Sequence, residues 1–322
     1  PKRTSARLAS ALTLAVLAIP VVLSGAVSEK ASGEPMSLEA LRQKVLANEA
    51  KTRRIRMTYT NIPDSNMENC RNPATANGTP ASHLIYSYAQ DGVRRHVTET
   101  AIGLDGRPIS WHVEVTDGEV RKSSSQLDLM EGWITPPEKF SVSAPGPLWT
   151  AFNPFVDRLL LSECLAPEYA SVCQDHATLG GRDATVVEIK HPDHKAVVKR
   201  AWIDRERGTA IRIEMRGVKT RGERPSFAEA TKFHQLPNGG WFPVEGCVEG
   251  HLIRDGQEIN LYNSWSVDIN SISIDEKDFP DDLFDIRFPP GANVVTEIAP
   301  APVETKIKSP NPPSRPSRPR RR

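Results

Sequence analysis

Apolar and polar residues alternate along most of this chain. Ile55, Met57 and Tyr59 are separated by Arg56 and Thr58 and flanked by Arg54 and Thr60. That period of two marks a strand with one buried face. Leu84, Tyr86 and Tyr88 repeat it, and Asp91-Gly92 leads into a further run over 93–100. Ile109, Trp111, Val113 and Val115 alternate with Ser110, His112 and Glu114 as far as Asp117-Gly118. An Asp-Gly pair between two such runs predicts a hairpin, because glycine accepts the positive φ of a tight turn. The second half has the same style. Runs over 185–190 and 196–204 are followed by a turn at 205–208 and by Ile211, Ile213 and Met215 on alternate positions. A run over 229–235 passes through Pro237-Asn238-Gly239-Gly240 into 244–253, and Asp255-Gly256 leads to Ile259, Leu261, Trp265, Val267 and Ile269. Strands joined by short turns predict an antiparallel meander, and the polar alternate positions predict a sheet buried on one side only.

Two stretches break the alternation. Ser37 is a candidate N-cap, and Leu38, Leu41, Val45 and Leu46 after it predict an N-terminal helix with one apolar face. Residues 126–146 carry Pro136, Pro137 and Pro145 and read as a long connection. Leu148, Trp149, Phe152, Phe155, Val156, Leu159 and Leu160 then recur at helical spacing, with Asn153-Pro154 as an N-cap and first-turn pair. Two short helices are predicted there. Two readings stay open: the stripe caps one end of the sheet, or it is a lid over an apolar cavity.

The N-terminus adds an address. Lys2, Arg3 and Arg7 precede an apolar run over 8–23, and Ser24, Gly25 and Ala26 follow it. This three-part pattern predicts a cleaved signal peptide over 1–26, and hence a protein that works in the periplasm or otherwise outside the cytoplasm. An uncleaved membrane anchor is the competing reading, for which the run is short. Residues 27–36 then form a linker, 37–295 a single β domain, and 296–322 a tail. The chain has 41 basic and 40 acidic residues. Three of the bases lie in the signal, and seven lie in 300–322 with one acid; the remainder holds 31 bases and 39 acids, a net charge of −8. An acidic body disfavours nucleic-acid binding. The tail, rich in Pro, Ser and Arg, cannot pack a core. It is either a solvated disordered end or a tether to anionic envelope components.

Four cysteines, Cys70, Cys164, Cys173 and Cys247, meet an oxidising compartment after export. Four cysteines allow three pairings; a Cys164–Cys173 staple over a short loop is the expected bridge, and buried free thiols are the alternative. Catalytic signals are few. There is no Gly-rich phosphate loop, no Gly-x-Ser-x-Gly and no His-Glu-x-x-His. His191-Pro192-Asp193-His194 reads as an exposed turn, because a metal site needs three or four convergent ligands. Neither an enzyme nor a cofactor is expected. Met57, Tyr59, Tyr86, Trp111, Trp202 and Trp265 are the candidate ligand-facing residues of the sheet, with ordinary core packing as the competing reading of each.

Three motifs carry a resemblance. They are Trp202-Ile203-Asp204 turning through Gly208, then Gly239-Gly240-Trp241-Phe242-Pro243, and finally the segment from Asp282-Leu283-Phe284-Asp285 through Ile286-Arg287-Phe288-Pro289-Pro290-Gly291. With the order of elements over 37–295, they resemble divergent bacterial members of the LolA-type outer-membrane lipoprotein-carrier superfamily. The resemblance implies a mainly β fold: an open, curved antiparallel sheet, or half-barrel, with an N-terminal helix and short plug or lid helices. It also implies a cavity for the acyl chains of lipoproteins or lipids; on the lid reading of the helical stripe, Phe155 is a candidate ligand-binding residue of that lid. The function that follows is a periplasmic carrier; the alternative is a sensor or regulator of envelope stress with the same fold. This chain departs from the pattern in its longer body and its basic tail.

Overall fold

The computed structural model describes residues 35–63, 81–136, 147–148, 160–190, 198–216, 226–254 and 257–297. The expected signal peptide, Cys70, Phe155, His191–His194 and nearly all of the basic tail lie outside the described residues. Helix α1 (Leu38–Thr52) opens the fold, with Ser37 Oγ accepting from Ala40 N at 3.1 Å, as the N-cap reading predicts. Its buried stripe runs through Leu41, Val45, Asn48, Glu49 and Thr52, while Leu46 points to solvent. One residue past Val45 is a rotation of about 100°, enough to leave the face.

Fourteen strands follow among the described residues: β1 (Arg54–Pro63), β2 (Ala81–Asp91), β3 (Arg94–Gly103), β4 (Pro108–Thr116), β5 (Arg121–Ser124), β6 (Glu131–Thr135), β7 (Ala170–Leu179), β8 (Arg182–Lys190), β9 (Val198–Asp204), β10 (Ala210–Arg216), β11 (Ser226–Gln235), β12 (Trp241–Arg254), β13 (Gln257–Val267) and β14 (Asn293–Thr296). A short helix α2 (Leu161–Cys164) precedes β7. All the strands belong to one open sheet in the order β14-β6-β5-β4-β3-β2-β1-β13-β12-β11-β10-β9-β8-β7. Every pair is antiparallel except β14 on β6. The mainly β, antiparallel reading holds, and the predicted turns carry positive φ at Gly92, Gly118, Gly208 and Gly239. Strand β6 lies where a long connection was expected. Its ladder partners on both sides, β5 and β14, supply the order that its short, non-alternating sequence does not.

The inner face of the sheet is the one that carries the helices. Leu41 and Val45 of α1 and Leu161 and Cys164 of α2 pack on Val187, Ile189, Ala201, Ile203 and Ile213. The two helices are also tied by polar groups. Arg42 Nε donates to Ser162 O at 3.0 Å, and Ser162 N donates to Glu49 Oε1 at 3.0 Å.

The outer face is not bare over β1–β6, contrary to the one-sided sheet expected from alternation. After β13 the chain makes a 3₁₀ turn over Ile269–Ser271, and Ser273 bridges Arg56. It then crosses the outer face of β1, β2, β3, β4 and β5 to finish as β14 beside β6. Phe279 and Phe284 pack on Ala89, and Ile286 packs on Val113 and Val115. Ion pairs pin the strap: Arg54–Glu276 at 3.3 Å, Arg94–Asp281 at 2.7 Å and Lys122–Asp285 at 2.5 Å. The His96 ring, half-buried under the strap, holds Leu283 O at 2.6 Å through Nδ1. That contact makes Nδ1 the N–H donor, and burial lowers the imidazole pKa.

Gly132 is where the strap sits closest. A Cβ there would lie 2.1 Å from the Phe288 ring. Gly132→Ala is therefore expected to push Phe288 off β6, at a cost of about 1–3 kcal/mol. Limited proteolysis in the strap should quicken while the melting temperature falls; unchanged cleavage and melting would mean that Phe288 does not clamp the strap.

Candidate functional site

Cross-strand register assigns every strand residue to a face, because directly paired residues point to the same side. Tyr59 pairs with Tyr86 and with Val267, Met57 with Tyr88, and Trp265 with Asn61 and Gly246. Met57, Tyr59, Tyr86 and Trp265 thus share the inner face of three adjacent strands, β13, β1 and β2. Phe242, Val244, Val248 and Val267 complete the cluster, and Leu148 is laid on it. The Tyr59 and Tyr86 rings stack with centroids 4.7 Å apart and 12° between planes. Trp265 owes its seat to the glycine opposite: a Cβ on Gly246 would lie 2.3 Å from the indole.

The polar atoms of this cluster are unevenly served. Tyr88 Oη donates to Gln90 Oε1 at 2.5 Å, and the Tyr86 side chain is hydrogen-bonded to Glu99. Tyr59 Oη and Trp265 Nε1 have no hydrogen-bond partner among the described residues, although the two residues are only 1% and 2% exposed. Burial raises the pKa of all three phenols, that of Tyr88 to about 12. Each is a neutral donor at neutral pH. Towards β4 and β5 the inner face turns polar, with Glu114, Thr116, Ser123 and Arg121 on it and an ion pair between Glu114 and Arg121. The inner face is thus apolar across its middle and charged towards one edge.

Two tryptophans do not belong to this site. Trp111 pairs with Thr100, Thr100 with Ile85 and Ile85 with Thr60, which places it on the face opposite Tyr59. There it packs against Val113, Val115 and Ile286 beneath the strap. Trp202 runs through Arg212, Glu229 and Cys247 to Ser264, and so also lies outside, with the Arg212 guanidinium 5.7 Å from its ring. The expectation that both point inward is corrected: alternation separates two faces of a strand without saying which is the inner one. Tyr88, Phe242 and Val244 are site residues that the sequence reading did not select. Tyr88 continues the alternation of Leu84 and Tyr86, so its signal was present.

The expected Cys164–Cys173 bridge is not formed. Helix α2 turns Cys164 into the core against Leu41 and Ile189, whereas Cys173 is an exposed free thiol on the edge strand β7. Cys247 is likewise a free thiol, on the outer face. No group of three or more His, Cys, Asp or Glu among the described residues is placed to hold a metal ion. No helix among them is long and apolar enough to cross a membrane.

No protein-family profile and no curated protein matches the chain. Solved structures are similar to it in backbone. A LolA superfamily protein from Nitrosomonas europaea matches at 12% identity and a TM-score of 0.47, over 78% of this chain and 98% of that one. A domain described as an outer-membrane lipoprotein-sorting protein from Vibrio parahaemolyticus matches at 10% identity and 0.46, over 77% and 97%. A DUF1329 family protein from Desulfovibrio piger matches at 12% identity and 0.41, over 77% and 97%.

Proposed function

We propose that this protein is an exported, non-enzymatic binding protein that carries the acyl chains of lipoproteins or lipids in the periplasm. One observation carries the reading. Met57, Tyr59, Tyr86 and Trp265 form a continuous apolar and aromatic row on the inner face, on the side where α1 and Leu148 lie. An apolar chain laid across that row would replace side-chain contacts with contacts of the same kind, gaining about 25 cal/mol for each Å² removed from water.

The test is uptake of an apolar fluorescent probe by the purified protein, read through quenching of tryptophan. Quenching is expected to be reduced in Trp265→Phe and preserved in Trp111→Phe and Trp202→Phe, because only Trp265 of the three is on the inner face. Mass spectrometry of lipids that copurify with the protein identifies the natural chain. A native protein that takes up neither probe nor lipid would sink the carrier reading and favour the sensor.

A further inference from the structure

The strap crosses the outer face of the sheet over β1–β5 and does not reach β9–β13. Register gives that second region two rows of outward side chains. One row runs Glu188, Arg200, Glu214, Phe227, Glu249 and Tyr262 from β8 to β13, and the next carries Trp202, Arg212, Glu229 and Cys247. Three aromatic rings therefore face outward there. Tyr262 is 39% exposed, and Trp202 and Phe227 are half-buried. The Arg212 guanidinium lies between the last two, 5.7 Å from the centre of the Trp202 ring and 3.7 Å from that of Phe227.

The spacing of these rings matches a repeat in the chain's own tail. Tyr262 and Phe227 stand in one row two strands apart, and Trp202 stands two strands beyond Phe227 in the neighbouring row. Two strand spacings are about 9.6 Å. The tail has proline at 313, 316 and 319 and arginine at 315, 318 and 321. A polyproline II helix has three residues per turn and rises about 9.3 Å in that turn, so it gathers those prolines on one face and those arginines on another. Laid across the strands, it would set Pro313, Pro316 and Pro319 over Tyr262, Phe227 and Trp202 in succession. Aromatic surfaces of this kind are what Pro-x-x-Pro segments dock on.

Charge and reach agree with this occupant. The two rows hold four acids, Glu188, Glu214, Glu229 and Glu249, against two bases, Arg200 and Arg212, while 300–322 holds seven bases against one acid. Strand β14 is seven steps from β13 in the sheet, about 34 Å. The intervening tail, 298–312, spans up to about 50 Å when extended. We propose that the outer face of β9–β13 is a polyproline-docking surface and that residues 313–321 of the same chain are its occupant. Tethering presents the segment at an effective concentration on the order of mM, so a weak contact suffices. A second Pro- and Arg-rich segment can then take the surface only by displacing the tail. The proposal is independent of the carrier reading.

The experiment places a benzophenone photocrosslinker at position 317 of the full chain and maps the linked peptides. An internal crosslink to peptides from β11–β13 is expected. Replacing Pro313, Pro316 and Pro319 together by alanine keeps every charge and leaves the sheet sequence intact. It removes the fixed φ that pre-forms the helix, so the crosslink yield should fall by about 5-fold or more. Tyr262→Ala should lower the yield by about 5-fold through the lost ring contact. A yield that is unchanged in the proline variant and lost at high salt would mean that charge alone holds the tail. Crosslinks to the strap would place it elsewhere, and crosslinks joining two chains would make a second copy the partner. Absence of any internal crosslink would leave the surface without this occupant. Each of these four results overturns the proposal.

Discussion

Gly246→Ala is expected to produce the largest loss of stability of any single-methyl substitution on the inner face. An added Cβ would stand 2.1 Å from Glu229 O on β11 and 2.3 Å from Cζ2 of Trp265 on β13. The first contact is with backbone inside a paired ladder, so it can be relieved only by parting β11 from β12. The second expels the indole from the cluster that includes Tyr59 and Val248. Overpacking of this kind costs about 3 kcal/mol, which for a domain of this size lowers the melting temperature by roughly 6–12 °C. Gly180→Ala is the control. A Cβ there meets nothing within 4 Å, so only its φ of +57° resists the change, at about 1 kcal/mol. Thermal unfolding followed by circular dichroism separates the two. Equal melting temperatures would show that the inner face is loose enough to absorb the methyl group, and that Trp265 is not held by the gap at Gly246.

Glu49→Gln should act in the opposite direction and only above acidic pH. The Glu49 carboxyl lies between α1 and α2 at 6% exposure, with Oε1 accepting from Ser162 N and Oε2 without a partner among the described residues. Burial, reinforced by the nearby Glu163, pushes its pKa from 4.5 up to about 7 against the opposing hydrogen bond from Ser162. The sign follows from linkage. Below pH 4.5 the group is protonated in both folded and unfolded chains and contributes no difference. Between 4.5 and 7 the unfolded chain releases its proton while the folded one keeps it, so the fold loses stability as pH rises. Above 7 the full penalty, about 3 kcal/mol, is in place. Glutamine keeps the acceptor for Ser162 N and cannot ionise. The variant is expected to melt higher than wild type at pH 8 and at the same temperature at pH 4. A gap that is constant across this range would mean that packing, not ionisation, separates glutamate from glutamine at the α1–α2 contact.

Much of the architecture was legible because its signals are local. Ser37 caps α1 through its own side chain, and the glycines at 92, 118, 208 and 239 adopt the positive φ that only glycine takes readily. Alternation located most strands, since a period of two depends on nothing beyond the strand itself. The inner-face group Met57, Tyr59, Tyr86 and Trp265 was legible for the same reason. In β4 this logic ran the wrong way round. Trp111, Val113 and Val115 alternate as a buried face should, yet the face they bury is the outer one, against Ile286 and Phe288, while Glu114 points inward and pairs with Arg121.

By itself, the sequence determined an N-terminal helix, a meander of alternating strands and the turns between them, because propensity, capping and a two-residue period act over a few positions. Tertiary structure decided the rest. Which face of β4 and of β9 is the inner one depends on pairing that passes through strands remote in sequence, as in the ladder from Trp202 to Ser264. Strand β6 exists because β5 and β14 flank it. The strap over 276–297 carries no periodicity at all; its place is fixed by Arg54, Arg94 and Lys122 holding Glu276, Asp281 and Asp285, and by the gap that Gly132 leaves for Phe288. The two orphan donors of the candidate site were equally beyond the sequence. A tyrosine is always a donor, but only the assembled sheet decides that Tyr86 and Tyr88 find acceptors and that Tyr59 finds none among the described residues.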